Sequence, residues 1–255
     1  MTLPYVEQGD PSGVPVVLLH GYADSHRFFD RLLTQLPRSI HAFTFTQRGH
    51  GDADRPADGY RQENFVADLA AFMDTVGLDA AVIAGQSSGG YTAQRFAIDH
   101  PGRTLGLVLL GSPRDFRDKP ADVISSIAKL TDPVDPGFVR EFTESTITQA
   151  LPPGDLEILV AESCKVPARV WKAALAGLLE AAVPIESGTI TAPTLILWGE
   201  EDVFCPRGEQ EAIAQTIAGA DLVAYPGTGH AVAVEQPARA ATHIAAFARR
   251  LGVRR

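Results

Sequence analysis

Residues 82–90 read Val-Ile-Ala-Gly-Gln-Ser-Ser-Gly-Gly, an apolar run that ends in a glycine-rich turn. An apolar run of this kind is typical of a strand that is buried on both faces of a parallel sheet. Residues 91–99 follow with helical spacing and predict a helix directly after the turn. This order of strand, turn and helix is the context in which a serine is held on a strained turn with its hydroxyl pointing outward.

Ser87, rather than Ser88, is the candidate nucleophile of this turn. Ser87 has Gly85 and Gly89 two residues away on either side, whereas Ser88 has Gln86 at the corresponding position. Side chains at the two glycine positions would collide where the strand and the helix pass closely. The alternative is an ordinary glycine-rich turn, and the strand in front of it favours the catalytic interpretation.

Apolar runs of strand length recur along the chain and alternate with segments of helical spacing, which predicts an α/β fold with a mostly parallel sheet flanked by helices. We expect strands at residues 3–8, 14–19, 41–46, 80–84, 105–110, 194–198 and 222–225. Between residues 117 and 187 only helical patterns and prolines occur, so we interpret this interval as an inserted helical cap. Residues 1–116 and 188–255 would then form the core domain.

The predicted cap carries two apolar helical faces, which either wall a pocket or only pack the cap helices together. Packing is the interpretation that we favour for most of these residues. The faces are formed by Val123, Ile127 and Leu130 in one segment and by Trp171, Leu175 and Leu178 in another.

Length, charge and cysteine content narrow the classes of function. A chain of 255 residues fits one domain with one site. Its formal net charge of −9 argues against nucleic acid and anionic membrane as partners, because both require a basic surface. Residues 1–10 lack a leader pattern and no apolar run is long enough to span a membrane, so a cytoplasmic location is expected. Cys164 and Cys205 are too few for a disulfide scaffold.

A serine hydroxyl is a weak nucleophile and needs a base that is itself oriented by a carboxylate. His230 follows the last predicted strand and is the candidate general base, and Asp202 follows the strand at 194–198 and is the candidate orienting acid. In this type of fold the order along the chain is serine, acid, histidine. Asp115, Glu200 and Glu201 remain alternative acids. We interpret Asp115 as part of the cap hinge and the two glutamates as a solvated acidic turn.

The negative charge that develops on a substrate oxygen needs backbone donors near the nucleophile. Ser88 provides one N–H at the start of the predicted helix, and Tyr22, in the loop after residues 14–19, is our choice for the second. His20 and His50 adjoin glycines in turns and are expected to brace loops. No sequence pattern typical of a metal site, a dinucleotide site or a P-loop occurs, so neither a metal nor a cofactor is expected, and the expected partner is a small-molecule substrate.

In this order the residues resemble the α/β-hydrolase superfamily over nearly the whole chain, in particular its small capped esterases, enol-lactonases, epoxide hydrolases and cofactor-free haloperoxidases. The resemblance implies a helical cap between the sixth and seventh strands and a pocket between cap and sheet. Only one strand precedes Val14, which indicates a reduced amino-terminal hairpin. Thr46, Ala53 and Gln86 depart from the residues that relatives often carry. The matching pieces are His20 to Tyr22, Gln47 to Gly51, Ser87, Gly199 to Asp202 and Gly229-His230.

Serine at position 87 limits the chemistry that the resemblance implies. Haloalkane dehalogenases and epoxide hydrolases of this fold use aspartate at this position. Among the reactions that the resemblance implies, acyl transfer is therefore the one that we favour. We expect cleavage of a small, mostly hydrophobic carboxylic ester or lactone through an acyl-enzyme intermediate, with Gln86, Trp171 and Ala231 as candidate pocket residues. The alternatives are perhydrolysis with halide oxidation, cleavage of a carbon–carbon bond or a hydroxynitrile, and a small-molecule receptor. The sequence does not indicate an oligomeric state.

Overall fold

The computed structural model describes residues 1–117 and 121–252 and has a seven-stranded sheet at its centre. The strands lie side by side in the order β1-β3-β2-β4-β5-β6-β7. β1 pairs antiparallel with β3, whereas β2 to β7 run parallel, which confirms the predicted α/β fold. In chain order the strands are β1 (Tyr5–Gln8), β2 (Val14–Leu19), β3 (Ile40–Phe45), β4 (Ala81–Gln86), β5 (Thr104–Leu110), β6 (Thr194–Gly199) and β7 (Asp221–Tyr225).

Helices follow most of the strands and fill the interval between β5 and β6. Within the described ranges, no helix is both long enough and apolar enough to cross a lipid bilayer. The helices are α1 (Asp30–Leu33), α2 (Gln62–Thr75), α3 (Ser88–Asp99), α4 (Ala121–Ala128), α5 (Pro136–Ser145), α6 (Asp155–Cys164), α7 (Ala168–Glu180), α8 (Pro184–Ser187), α9 (Arg207–Thr216), α10 (Val232–Glu235) and α11 (Pro237–Arg250).

Both faces of the sheet are covered by helices. Successive residues of a strand point to opposite faces, so Val16 of β2 belongs to the core that includes residues of α1 and α11. Its neighbour Val17 belongs to the core that includes residues of α2 and α3. All residues of β3, β4 and β6 are buried. Burial on both faces explains why β4 and β6 are largely apolar runs in the sequence.

Helices α4 to α8 occupy the interval that the sequence predicts as a cap, of which residues 118–120 lie outside the described residues. The resemblance implied a cap between the sixth and seventh strands, but in this chain it follows the fifth strand. The reason is that a single strand, β1, precedes β2, as the reduced hairpin in the sequence indicates. We propose residues 117–187 as the cap and residues 1–116 and 188–255 as the core domain.

β4 and α3 cross so closely that glycine is required on both sides of the turn between them. A Cβ atom at Gly85 would lie 2.4 Å from the carbonyl carbon and oxygen of Gly89, and one at Gly89 would lie 2.4 Å from the carbonyl oxygens of Leu19 and His20. These distances are far below van der Waals contact, and the opposing atoms are backbone atoms of a packed interior. The collision expected from the sequence is confirmed.

Gly85→Ala is expected to lower the free energy of unfolding by about 1–3 kcal/mol, since the added methyl group forces strand and helix apart. Gly208→Ala is the matched control, because a Cβ at this position of α9 meets no atom within 4 Å. The control should leave the free energy of unfolding unchanged or raise it by less than about 1 kcal/mol. Urea denaturation measures both, and equal midpoints for Gly85→Ala and the wild type would contradict the close crossing.

Candidate active site

Ser87 lies on the turn between β4 and α3 with a backbone conformation that is rare for residues with a side chain. Its φ is 51° and its ψ is −121°. The Ser87 N–H donates to the carbonyl oxygen of Leu110 at 3.0 Å, and the Ser87 carbonyl oxygen accepts from the Tyr91 N–H at 3.1 Å. Such strain costs on the order of 1–3 kcal/mol and persists where the surroundings fix the backbone. The strained turn predicted from the sequence is therefore present.

His230 and Asp202 are joined by a buried hydrogen bond. Asp202 follows β6 and His230 follows β7, and Nδ1 of His230 lies 2.8 Å from Oδ2 of Asp202. The other carboxylate oxygen accepts from the backbone N–H groups of Phe204 at 2.8 Å and Cys205 at 2.9 Å. With Nδ1 as the donor to a carboxylate, Nε2 of His230 is left as an acceptor. Asp202 is thus in position to fix the tautomer and the orientation of the imidazole.

The alternative acids are engaged elsewhere. Asp115 forms an ion pair with Arg117, with Oδ2 and Nη2 2.6 Å apart, and hydrogen bonds from this guanidinium lower the pKa of the carboxyl. Glu200 is exposed and lies 3.1 Å from the guanidinium of Arg207, and Glu201 is exposed as well. Among these carboxylates, only that of Asp202 contacts the histidine.

The predicted oxyanion donors, the backbone N–H groups of Tyr22 and Ser88, lie beside Ser87. Ser88 is the first residue of α3, where the N–H groups have no acceptor within the helix and the helix dipole is positive. Tyr22 follows Gly21 in the loop after β2, and its phenol donates to the carbonyl oxygen of Trp171 in α7. Within the described residues, neither N–H takes part in a hydrogen bond, so both are available to a bound oxygen atom.

His20 and His50 brace the loops around Tyr22. Nε2 of His20 accepts from the Gln47 backbone N–H at 2.9 Å, and the Gln47 side chain donates to the His20 carbonyl oxygen at 2.8 Å. Nδ1 of His50 lies 2.8 Å from the Arg48 carbonyl oxygen. Burial lowers the pKa of His20 well below its usual value and that of His50 to about 4, so both are neutral. The bracing role predicted from the sequence is confirmed.

The cavity beside Ser87 has two adjoining chambers, both lined by Ser87 and His230. The first, which we call the apolar chamber, measures about 650 Å³ with its open mouth. Four of the six cap residues singled out in the sequence line it, so the expectation that most of them only pack together is wrong. Helical spacing identifies an apolar face but not the surface that it meets. The four are Val123, Ile127, Leu175 and Leu178.

Trp171 lines neither chamber, contrary to its prediction as a pocket residue. Its side chain is fully buried, and its ring meets those of Tyr22 and Phe142 edge-on at centroid distances of 5.1 and 5.2 Å. These two aromatic residues do line both chambers. Trp171 therefore lies one layer behind the cavity wall and supports the residues that form it.

The second chamber, which we call the polar chamber, is lined by Asp24, Gln86, Thr143, Ser163 and Ala231 among others. It thus contains two of the predicted pocket residues. The side-chain amide of Gln86 donates to the His230 carbonyl oxygen at 2.8 Å, which ties the serine turn to the histidine loop. No sequence pattern singled out Asp24, because its role depends on residues that are distant along the chain.

The Asp24 carboxyl is shielded from bulk water, and this burial raises its pKa to about 7. The nearby His230 side chain and a hydrogen bond from the Gly21 backbone N–H oppose the shift but do not cancel it. Asp24 Oδ2 and Ser87 Cβ both lie against Gly21, at 2.9 and 3.3 Å from the position of a Cβ on that glycine. A second carboxyl therefore borders the serine, separate from Asp202.

Asp202, Cys205 and His230 are the described side chains that come closest to a metal site, with one ligand atom of each within 4.8 Å of the others. These atoms already have hydrogen-bond partners: Asp202 pairs with His230, and the Cys205 thiol lies 3.2 Å from the Gly111 carbonyl oxygen. A metal would have to displace the proton that His230 shares with Asp202. The arrangement fits an orienting hydrogen-bond network better than a metal centre.

Glu235 is a site residue that the sequence reasoning missed. Its Oε1 accepts from the Gly229 N–H at 2.9 Å, next to His230. Its Oε2 accepts from the N–H groups of Thr148 at 3.1 Å and Gln149 at 2.8 Å, both in the cap. This buried carboxylate therefore fixes the histidine loop and ties it to the cap. Its position five residues after His230 was the only available signal.

Asp24→Asn is expected to stabilise the protein increasingly as the pH rises. The folded pKa of about 7 lies above the unfolded value of 3.8, so the wild type loses stability between these values whereas the amide does not. The advantage of the variant should grow by about 2–4 kcal/mol between pH 4 and pH 8. Urea denaturation at several pH values measures it. Asp58→Asn, at an exposed aspartate, is the control and should follow the pH dependence of the wild type. If the stability of Asp24→Asn relative to the wild type changes with pH no more than that of the control, the raised pKa of Asp24 is contradicted.

Glu235→Gln is expected to loosen the histidine loop, because the new NH₂ group cannot accept from a backbone N–H. The free energy of unfolding should fall by about 1–3 kcal/mol. Amide hydrogen exchange should accelerate at Gly229 or at the pair Thr148 and Gln149, according to which of the two Glu235 oxygens the amide nitrogen replaces. Glu141→Gln, at an exposed position of α5, serves as the control. Unchanged exchange at all three amides would refute the assigned role of Glu235.

Comparison with known proteins agrees with this geometry. A sequence profile of the alpha/beta hydrolase family matches residues 16–243. The sequence of AB hydrolase superfamily protein YisY of Bacillus subtilis is 27% identical to this one, in an alignment that covers 92% of this chain and 91% of that protein. Monoacylglycerol lipase of Mycolicibacterium smegmatis is 26% identical, over 88% of this chain and 82% of its own. The structure of a thermophilic esterase from Thermogutta terrifontis matches with a TM-score of 0.86 at 26% identity, covering 98% of this chain and 94% of that one. Because the profile spans most of the chain, the protein belongs to the alpha/beta hydrolase family.

Proposed function

We propose that this hydrolase cleaves a small, mostly hydrophobic carboxylic ester or lactone through an acyl-enzyme intermediate on Ser87. The observation that carries the proposal is the 2.8 Å hydrogen bond between His230 and Asp202 at the wall of the cavity that Ser87 also lines. A serine, a histidine and an orienting carboxylate form the constellation that activates a hydroxyl for attack on a carbonyl carbon.

The proposed reaction has two halves. Ser87 Oγ attacks the carbonyl carbon while Nε2 of His230 takes the hydroxyl proton, and the negative oxygen of the tetrahedral intermediate accepts from the Tyr22 and Ser88 N–H groups. The bond to the leaving oxygen then breaks, and His230 returns the proton to the alcohol. Water repeats the sequence on the acyl-enzyme, with His230 as the base, and releases the acid and the free serine.

The apolar chamber supports a hydrocarbon group as part of the substrate. Aliphatic cap side chains such as Val123, Ile127 and Leu175 border the space directly beside Ser87 and His230. Transfer of each CH₂ group from water into such a space contributes about 0.8 kcal/mol. Two of the similar proteins are named as a monoacylglycerol lipase and an esterase, which is consistent with an ester as the substrate.

Labelling with a fluorophosphonate, read out by peptide mass spectrometry, is the experiment that tests the proposal. The wild type is expected to carry the phosphonyl group on Ser87, and Ser87→Ala should lose both the label and about 10⁴-fold or more of any ester hydrolysis. Ser88→Ala is the matched control, since it retains the backbone N–H that we assign to the oxyanion and should still be labelled on Ser87. Folded wild type that takes up no label would rule out an activated serine and favour a receptor.

A further inference from the structure

The polar chamber differs from the apolar chamber in the hydrogen-bonding groups that it offers. Thr143 lines the polar chamber and not the apolar one, and Thr146 lies where the two meet and lines both. The hydroxyl of Thr143 donates to the Val139 carbonyl oxygen at 2.9 Å, and that of Thr146 donates to the Thr143 carbonyl oxygen at 2.7 Å. Because each hydroxyl proton is already used within α5 and its carboxyl end, only acceptor lone pairs remain for a ligand.

Asp24 adds further acceptor capacity to the same chamber. Within residues 1–117 and 121–252, its carboxyl has no ion-pair partner, and no Lys or Arg is among the described residues that line the chamber. The chamber therefore presents acceptors from two sides, Asp24 on the loop after β2 and the threonines of the cap. Gln86, which also lines the chamber, has a buried Oε1 without a hydrogen-bond partner among the described residues. A buried acceptor without a donor is unfavourable, so the complementary ligand supplies O–H or N–H groups.

A neutral hydroxyl fits this chamber better than an ammonium group. Burial holds the pKa of Asp24 at about 7, so a large share of the carboxyl is uncharged near neutral pH. An uncharged carboxyl can both donate to and accept from a hydroxyl, whereas it pairs poorly with a fixed cation. The threonine oxygens are neutral as well and do not compensate a positive charge.

We propose that the polar chamber is a subsite for a hydroxyl group of the substrate, with Asp24 as the residue that determines this specificity. The inference rests on the proposed function. It assigns the substrate class as a hydroxylated ester or lactone, whose hydrocarbon part fills the apolar chamber while the hydroxyl-bearing part lies beside Asp24. The reacting carbonyl then lies between them at Ser87 and His230, which line both chambers.

Three butanoate esters of matched size test the inference: the 2-hydroxyethyl, propyl and 2-aminoethyl esters. A second series places the hydroxyl on the acyl side, with methyl 6-hydroxyhexanoate against methyl heptanoate. In at least one series the wild type is expected to favour the hydroxylated ester about tenfold in kcat/KM, the ratio that one hydrogen bond provides. The ratio is taken within each variant, so a general loss of activity cancels.

Asp24→Leu, which keeps the branching at Cγ and has no acceptor, should bring the ratio close to one. Asp24→Asn keeps one acceptor oxygen and should retain part of the preference, which separates recognition from misfolding. Leu175→Ala is the control in the apolar chamber and should keep the wild-type ratio while changing the preferred hydrocarbon length.

Absence of a hydroxyl preference in both series, or an equal ratio in wild type and Asp24→Leu, would overturn the subsite. A preference for the 2-aminoethyl ester over the 2-hydroxyethyl ester would overturn it too and identify a cation site instead. Fluorophosphonate labelling of Ser87 distinguishes the two levels of failure. A labelled enzyme without hydroxyl preference contradicts only this inference, whereas an unlabelled one contradicts the proposed function.

Discussion

The close crossing of β4 and α3 is the constraint on which the site depends. Two glycines let the helix backbone pass within contact distance of the strand and of the carboxyl end of β2. The turn between them is then so short that Ser87 adopts a positive φ, a conformation that isolated chains avoid. The position of Ser87 is therefore set by backbone packing, and the side chains of the cavity are arranged around a fixed point.

Parallel strands bring the other site residues to the same point. The loops after β2, β4, β6 and β7 all leave from the carboxyl edge of the sheet, so residues far apart in sequence become neighbours. Gly199 contributes to this convergence, since a Cβ there would lie 2.1 Å from the Gly229 carbonyl oxygen. The loops that carry Asp202 and His230 can approach each other only because no side chain separates them.

The fold and the candidate triad were readable from the sequence because their signals are local. Apolar runs marked the strands, and glycine spacing around Ser87 marked the turn. The site features that the sequence did not predict depend on contacts between residues that are far apart along the chain. The surroundings of Asp24 include His230, 206 positions away, and Glu235 acts on backbone groups of the cap that have no sequence signature. The prediction of Trp171 as a pocket residue failed for the same reason. The sequence pattern of a helix is the same whether an aromatic residue lines a cavity or is buried behind the residues that line it.

Among the described residues, hydrogen bonds attach the proposed cap to the loops of the candidate active site, and this limits how freely such inserts can be exchanged between related proteins. The Trp171 carbonyl oxygen accepts from Tyr22, and the N–H groups after α5 donate to Glu235 beside the histidine loop. A chimera that grafts a foreign insert onto this sheet would remove the partners of both loops even if it retained every triad residue. Replacement of the insert alone is therefore expected to disturb both loops, whereas substitutions at chamber residues that make none of these hydrogen bonds leave the attachment intact.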